Sequence, residues 1–226
     1  MSLAIIPARG GSFRIKNKNI KLFFGKPIIC YAIELAQKTK IFKKIVVSTD
    51  SYKIKKISEK AGADVFFLRP KKLSNHTTPI IDVISHAIKK LNSKGFKFEY
   101  TCCIFPVSPL LKKNMLLRAR TVMIKKKLRY IFPVTKKTYS NENEIWVKNW
   151  KITNNKINSE KYYDAGQFYW GKSISWEKKK KIFSKLSGVI FFEKSNLIDV
   201  NFNKDWKKIK NIYKKKKLMK KTSLLT

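Results

Sequence analysis

Acidic residues are scarce in this 226-residue sequence, which holds 14 Asp and Glu against 52 Lys and Arg, a formal net charge of +38. Such an excess normally indicates a nucleic acid or an anionic membrane as partner. Arginine is scarce too, with only six in the chain, whereas base and phosphate recognition favours the bidentate arginine fork. The lysines are spread along the whole sequence. We therefore favour a general drift toward lysine over a dedicated nucleic-acid-binding face.

Long apolar runs are also missing, and none approaches the ~20 residues that a membrane-spanning helix needs. The N-terminal stretch has no basic segment before it, and a proline and two glycines interrupt it, which does not fit a signal peptide. The three cysteines, Cys30, Cys102 and Cys103, lack metal-type spacing. In a strand, the adjacent pair would point to opposite faces. We expect a cytoplasmic protein without membrane contact.

Short β-rich runs alternate with helical patterns through the first half of the chain. The runs that predict strands are Leu3 to Ile6, Ile45 to Thr49, Val65 to Leu68, Tyr100 to Phe105 and Tyr130 to Val134. Helices are predicted at Pro27 to Lys38, Tyr52 to Ala61, Pro79 to Leu91 and Asn114 to Lys125, with both prolines in first turns. This alternation predicts an α/β fold with a mostly parallel sheet, whose ligand crevice lies beyond the carboxyl ends of the strands.

The second half is less regular. Its predicted strands are Ile145 to Ile152, Tyr162 to Trp170 and Val189 to Glu193. A last amphipathic helix is predicted from Lys204, with a buried stripe formed by Trp206, Ile209 and Ile212. We expect one domain over residues 1–226, with an insertion at about 140–190 and a frayed basic tail at about 214–226.

A glycine-rich segment follows the first predicted strand and combines Gly10 and Gly11 with the hydroxyl of Ser12 and the cations of Arg9 and Lys18. Glycines let backbone N–H groups approach a polyphosphate, and the cations neutralise its charge. The chemistry is that of a nucleotide-binding loop. A simple glycine turn with neighbouring lysines present by chance is the alternative interpretation.

The segment reads IPARGGSFRIKNKNI and is followed by GKPII. It resembles the opening of the acylneuraminate cytidylyltransferases, which make CMP-activated sialic, legionaminic and pseudaminic acids. The resemblance implies a three-layer Rossmann-like nucleotide-diphosphosugar transferase fold and a homodimer built through the second half. The family usually has lysine where this chain has Phe13 and proline where it has Lys16; Arg14 or Lys16 is our candidate for the missing charge.

Further segments carry the same resemblance. A VSTD segment like that of the family ends at Asp50. Arg69 lies in an RP-x-x-L segment, and the resemblance implies that this arginine contacts the cytosine. Asn75 and His76 replace aspartates that the family commonly has after that leucine; we assign His76 an ordinary loop role. Phe105 stands where many sialic acid enzymes have a base-reading glutamine, and with the preceding cysteines it resembles pseudaminic acid enzymes. The CTP-binding residues so implied are Ala8, Arg9, Gly10, Gly11, Ser12, Lys18, Asn19, Arg69 and Phe105.

The segment DAGQFYWG, residues 164–171, resembles pseudaminic acid cytidylyltransferases most closely and implies sugar contacts by Asp164, Gln167, Phe168 and Tyr169. The same stretch satisfies a Walker A pattern from Gly166 to Ser173. We prefer an aromatic strand, because four bulky residues cannot form a loop whose backbone wraps a phosphate. Upstream, Asn154 to Lys156 replace an Arg-Thr-Gln stretch of the subfamily, which leaves the sugar's identity open.

Asp199, Asn201 and Asp205 lie in a segment that resembles the family's DIDTPEDW motif, whose first carboxylates bind Mg2+. A hard cation bound together with substrate phosphates needs only one or two protein carboxylates. The resemblance therefore implies a magnesium site at Asp199 and Asn201. Asp205 is equally consistent with a cap on the last helix.

The resemblance implies transfer of CMP from CTP to an acidic nine-carbon sugar, pseudaminic acid being favoured, with release of pyrophosphate for surface glycan synthesis. Arg9, Lys18 and Asp199 would carry the catalysis. Sialic or legionaminic acid are alternative acceptors. A weakened relative is a further alternative, because polar or charged family residues are replaced by Phe13, Asn75, Asn154 and Asn201. A lysine-rich nucleic-acid-binding protein is the alternative of another class. It predicts clustered arginines and exposed aromatics, whereas the arginines here are scattered and we expect the aromatics to lie in apolar strands.

Overall fold

A computed structural model describes residues 1–136, 162–192 and 198–222. Its strands are β1 (Ser2–Pro7), β2 (Leu22–Phe23), β3 (Lys26–Pro27), β4 (Phe42–Ser48), β5 (Tyr100–Ile104), β6 (Tyr130–Lys136), β7 (Tyr162–Asp164), β8 (Phe168–Lys172) and β9 (Ser187–Phe191). Seven of these strands form one sheet in the order β4-β1-β5-β8-β6-β7, with β9 also paired to β6. Strands β7 and β8 run antiparallel to their neighbours, and the other strands of this sheet point the same way.

Helices cover both faces of the sheet. They are α1 (Ile28–Thr39), α2 (Tyr52–Lys60), α3 (Ile80–Asn92), α4 (Lys113–Lys125), α5 (Ser173–Glu177) and α6 (Asn203–Thr222). One apolar cluster joins α1, α2 and α4 to the sheet, and a second joins α3 and α5 to its other face. Cys102 lies in the first cluster and Cys103 in the second, as strand alternation predicts. The three-layer α/β fold predicted from the sequence is confirmed.

The predicted helices of the first half follow from their buried periodicity. In α1 the buried positions include Ile29, Ala32, Ile33 and Ala36, which recur at helical spacing and face the sheet. Pro27 immediately precedes α1, and Pro79 precedes α3 in the same way, so both are N-cap residues rather than members of the first turn.

Two predicted strands are wrong in detail. Val65 to Leu68 does not form a strand, because only isolated bridges, Val46 to Asp64 and Thr49 to Leu68, tie this stretch to its neighbour. The predicted strand Tyr162 to Trp170 is two strands, β7 and β8, separated by a turn in which Gly166 has φ +57°. Glycine adopts this left-handed conformation without steric cost. The predicted strand Ile145 to Ile152 lies outside the described residues.

Helix α6 closes the open end of the fold. Trp206 and Ile209 are buried and Ile212 is partly buried, which confirms the predicted stripe, and they pack in a third apolar cluster with Ile15 and Val107. This cluster holds α6 against the loops that follow β1 and β5. The helix continues to Thr222, so the residues expected to fray are helical up to that point. None of the helices in the described part of the chain has the length and apolar character to cross a membrane.

Gly171 occupies a place in β8 where its neighbours leave no room for a side chain. A Cβ there would lie 2.4 Å from a ring carbon of Tyr130 and 2.5 Å from Nε1 of Trp176. We expect Gly171→Ala to lower the free energy of unfolding by about 1–3 kcal/mol, because two buried rings must shift. Urea denaturation measures the loss. Gly11→Ala is the matched control, since a Cβ at Gly11 meets nothing within 4 Å; equal losses in both variants would contradict this account.

Candidate active site

A cavity of about 730 Å³ opens beyond the carboxyl ends of β1 and β5, beside the segment that leads into α6. This is the crevice that the β-α alternation predicts. The predicted site residues that line the cavity are Arg9, Ser12, Lys18, Asn19, Arg69, Phe105, Asp199 and Asn201. The fold therefore brings together residues from the loops after β1 and β5, from the segment around Arg69 and from the segment that leads into α6.

The loop after β1 is shaped by bonds within the protein. The Asn19 side chain donates to the carbonyl of Arg9 at 3.0 Å, and the backbone N–H of Gly10 donates to Oδ1 of Asp50 at 2.8 Å. The Gly10 N–H is therefore bonded within the protein, which corrects our expectation that it binds phosphate. A Cβ at Gly10 would lie 3.1 Å from Cβ of Ser51, so glycine permits a close approach to the start of α2.

Ala8 also departs from its predicted role. Its side chain is fully buried, and its N–H donates to the carbonyl of Ser48 at 2.9 Å, as part of the contact between β1 and β4. Ala8 fixes the base of the loop and does not line the cavity. Gly11 has open space around it but is not among the lining residues either.

Asp50 connects the loop after β1 to Arg69. Its Oδ1, which accepts from Gly10, lies 3.9 Å from Nη2 of Arg69, and Nε of Arg69 donates to Oγ of Ser74 at 3.2 Å. Arg69 is only 5% exposed. Burial lowers the pKa of Arg69, and the charge of Asp50 opposes that shift. The sequence placed Asp50 at a strand end without giving it a role, which becomes visible only when the two loops meet.

Lys18 and Asp199 both line the cavity, and their charges interact. Nζ of Lys18 donates to the carbonyl of Val200 at 2.8 Å. Oδ2 of Asp199 accepts from the amide of Asn201 at 2.8 Å, and Oδ1 of Asn201 accepts from Arg14 at 3.3 Å. The site thus places two cations beside one carboxylate. Of the two candidates for the missing charge, Arg14 lines the cavity and Lys16 does not.

Desolvation shifts the pKa values of both Lys18 and Asp199. Burial lowers the pKa of the half-buried Lys18, while the charge of Asp199 raises it. Asp199 keeps solvent-exposed surface, yet the protein around its carboxyl group is dense enough that desolvation raises its pKa, against the hydrogen bond from Asn201 and the charge of Lys18. The charge of the half-buried Lys18 is therefore less screened by solvent than that of an exposed lysine, and it acts more strongly on a bound ligand.

The donor set fits a cation that is bound together with a phosphate. Asp199 is the one acid among the described residues that line the cavity, and the same ranges contain no cluster of three metal-ligating side chains. Mg2+ in nucleotide sites is usually held by one or two carboxylates with phosphate and water oxygens. For Asn201 to act as a ligand, its Oδ1 would have to exchange the bond from Arg14 for a bond to the cation.

Asp205 caps α6. Its Oδ2 accepts from the backbone N–H groups of Asn201 at 3.0 Å and Phe202 at 2.8 Å, which is the backward half of a capping box. The cap role predicted for Asp205 is confirmed. The same bonds fix the backbone that carries Asp199 and Asn201.

The predicted sugar-binding residues Asp164, Gln167, Phe168 and Tyr169 are not among the residues that line the cavity, although Gly166 of the same segment is. Phe168 is fully buried in the core, and Gln167, 1% exposed, donates to the carbonyls of Ala165 and Ile198. The hydroxyl of the buried Tyr169 donates to Asp164. These positions leave Gln167 and Phe168 no surface for a sugar, which corrects that prediction for the structure described.

The turn at Gly166, between β7 and β8, packs against Asp199. Asp164 accepts the N–H of Gly166 at 3.0 Å, and burial raises the pKa of Asp164 to about 6. A Cβ at Gly166 would lie 3.3 Å from Cγ of Asp199, so the turn packs against that carboxylate. Strand β8 occupies the rest of the Walker A pattern, which confirms the aromatic-strand interpretation.

The rim of the cavity holds residues that sequence reasoning undervalued. Phe13 is 84% exposed and contacts His76 edge to face, with ring centroids 5.8 Å apart, and both line the cavity. Asn75 accepts backbone N–H bonds from Thr77 at 3.1 Å and Thr78 at 2.7 Å. An amide oxygen thus holds the turn before α3 without an aspartate. The altered stretch Asn154 to Lys156 lies outside the described residues.

Comparison with known proteins agrees with this geometry. The profile of the family described as cytidylyltransferase matches residues 3–225. A pseudaminic acid cytidylyltransferase of Campylobacter jejuni (serotype O:23/36, strain 81-176) is 35% identical over 94% of this chain and 96% of its own length. An N-acylneuraminate cytidylyltransferase of Escherichia coli O18:K1:H7 is 26% identical over 95% of this chain and 52% of its own length.

A solved structure of CMP:2-keto-3-deoxy-manno-octonic acid synthetase complexed with CTP matches 95% of this chain and 99% of its own, with a TM-score of 0.71 at 12% identity. This likeness shows the fold alone. The sequence matches extend over nearly the whole chain, and with them the chain belongs to the cytidylyltransferase family and is a nucleotidyltransferase.

Proposed function

We propose that this protein transfers CMP from CTP to an acidic nine-carbon sugar, with pseudaminic acid as the favoured acceptor, for surface glycan synthesis. The proposal is carried by the 35% identity to a pseudaminic acid cytidylyltransferase over 94% of the chain. The nucleic-acid-binding alternative is not favoured by the family match. A homodimer in the cytoplasm belongs to the same proposal and is supported by the family resemblance.

The chemistry is a displacement at phosphorus. The anomeric hydroxyl oxygen of the sugar attacks the α-phosphorus of CTP, a new P–O bond forms, and the bond to the bridging oxygen breaks as pyrophosphate leaves. The hydroxyl proton is released to water. Negative charge on the phosphates must be neutralised and the reactants aligned. Arg9 and Lys18 line the cavity where these phosphates would lie. No covalent enzyme intermediate is needed, and we assign no side chain as general base.

Asp199 is our candidate for holding Mg2+, with Asn201 as a weaker second donor. When bound, Mg2+ neutralises phosphate charge. The protein's own contribution is to fix Asp199: the Asn201 amide bonds to its carboxylate, and the turn at Gly166 packs against it. The carboxylate is therefore already oriented toward the cavity before substrate arrives.

Base recognition is assigned to Arg69 and Phe105. Arg69 is held by Ser74 and Asp50, so its guanidinium is oriented in advance. Phe105 lies edge to face with Tyr169, with ring centroids 5.4 Å apart, and presents an apolar surface to the cavity. Pyrimidine selection would then rest on shape and on the donors of Arg69.

The direct test measures pyrophosphate release by the purified protein with CTP, Mg2+ and pseudaminic, legionaminic or N-acetylneuraminic acid in separate reactions. We expect pseudaminic acid to give the highest kcat/KM. A higher value for another of these sugars would reassign the acceptor. Absence of release with every sugar would overturn the proposed function.

Lys18→Ala should lower kcat about 100-fold to 1000-fold, because it removes a positioned cation from the site of charge development. Steady-state kinetics with saturating CTP measures the change. Lys43→Ala is the control, since Lys43 is exposed on β4 and does not line the cavity. The catalytic role of Lys18 would be refuted by equal kcat values in the two variants when both melt like the parent protein.

Asn201→Asp should lower the Mg2+ concentration for half-maximal activity by about tenfold, because a second carboxylate strengthens a hard-cation site. A Mg2+ titration at fixed CTP measures it. Asn203→Asp adds the same charge at the first residue of α6, outside the cavity lining, and should leave the titration unchanged. Identical titrations for Asn201→Asp and the parent would exclude this position from the metal site.

A further inference from the structure

Arg69 is attached to the end of β4 through both its backbone and its side chain. Its N–H donates to the carbonyl of Thr49 at 2.7 Å, and its Nη2 lies 3.9 Å from Oδ1 of Asp50. Among the described residues, Asp50 is the carboxylate that pairs with this guanidinium. A buried cation without a paired anion is unfavourable, so the pair fixes where the guanidinium lies.

Asp50 is itself held on three sides. Its Oδ1 accepts the N–H of Gly10 at 2.8 Å, so one oxygen serves both the loop after β1 and Arg69. The next residue, Ser51, donates its N–H to Oγ1 of Thr49 at 3.1 Å, and its hydroxyl oxygen accepts from the N–H of Ile54 as the cap of α2. These bonds fix the backbone next to Asp50 and leave its carboxylate little freedom.

Asp50 does not line the cavity, whereas Arg69 does. Any effect of Asp50 on a bound base therefore passes through Arg69. A guanidinium carries only donors. Cytosine offers acceptors at O2 and N3, but N3 of uracil carries a hydrogen that would face a donor. A fixed guanidinium therefore favours cytosine, while one that is free to turn can find the oxygens of either base.

We infer that Asp50 is a positioning residue that sets the preference for CTP over UTP, by holding Arg69 in the orientation that matches cytosine. This inference rests on the proposed role of Arg69 in base recognition. A side chain that is fixed before binding loses less conformational entropy when the ligand arrives. The bond from Gly10 ties the same carboxylate to the loop that we assign to the phosphates, so base selection depends on that loop being in place.

The test measures CTP and UTP binding to the full-length protein by calorimetry, with Mg2+ and without sugar, and compares the two dissociation constants. Both nucleotides carry the same triphosphate, so a change of charge near the phosphates cancels in the ratio. We expect the parent protein to prefer CTP by about tenfold or more. Asp50→Asn keeps an oxygen for the Gly10 N–H but removes the charge beside Arg69, and it should lower the preference about fivefold. A purely structural role would weaken both nucleotides equally.

Asp64→Asn is the matched control. The Asp64 carboxylate is also paired with a cation, Lys44 at 3.2 Å, and Asp64 lies outside the cavity lining. The control should change the preference by less than about twofold, because a surface pair contributes little. Thermal melting without nucleotide checks that each variant is folded. Should Asp50→Asn unfold, Asp50→Glu decides, since it keeps the charge but displaces the carboxylate by one methylene group and should lower the preference about threefold.

Three results would overturn the inference. They are a parental ratio in the folded variant at Asp50, an equal fall in Asp64→Asn, and a parent protein that binds UTP as tightly as CTP. No sugar is present in these titrations. Absence of pyrophosphate release with every sugar would therefore overturn the proposed function and leave the binding ratios unchanged.

Discussion

The hydrogen bond from Lys18 to the carbonyl of Val200 joins two segments 182 residues apart, and the substrate cavity has its present walls because these segments meet. Apolar packing drives the contact, since Val200 and Trp206 are buried with Ile15 in the third cluster. Full burial of one such side chain contributes about 1.5–3 kcal/mol. The polar bond then fixes the register, which places Asp199 opposite the loop after β1. Helix α6 is thus a structural requirement of the site.

Much of the fold could be predicted because burial periodicity is a local property of the sequence. Helices α1 to α4 and strands β1, β4, β5 and β6 lie close to their predicted positions for this reason. Val65 to Leu68 has the same apolar character, but a strand also needs a continuous ladder, and this stretch makes only isolated bridges. The break at Gly166 depends on one left-handed residue within an otherwise strand-like run. Neither the missing ladder nor the break in the strand can be predicted from the spacing of apolar residues.

The candidate site was predictable where a residue's chemistry and its position agree, as for Arg9, Lys18 and Asp199. It was not predictable where a motif residue acts by packing. Gln167 bridges the backbone at Ala165 to that at Ile198, next to Asp199, and Phe168 fills the core; neither is among the residues that line the cavity. A sequence motif indicates that a position matters to a site. It does not distinguish a residue that contacts the ligand from one that supports a neighbouring residue by packing.

The large positive charge and the specificity of the site are separate properties. Exposed lysines act through solvent, where charge is screened within about 8–10 Å at physiological salt. Arg69 is 5% exposed and Lys18 is half-buried, so both act on a ligand through a less polarisable medium. Arg69 is paired with Asp50, which also accepts from Gly10, and Lys18 donates to the carbonyl of Val200. Lysine can therefore accumulate over the surface while the field inside the cavity is set by a small number of positioned groups.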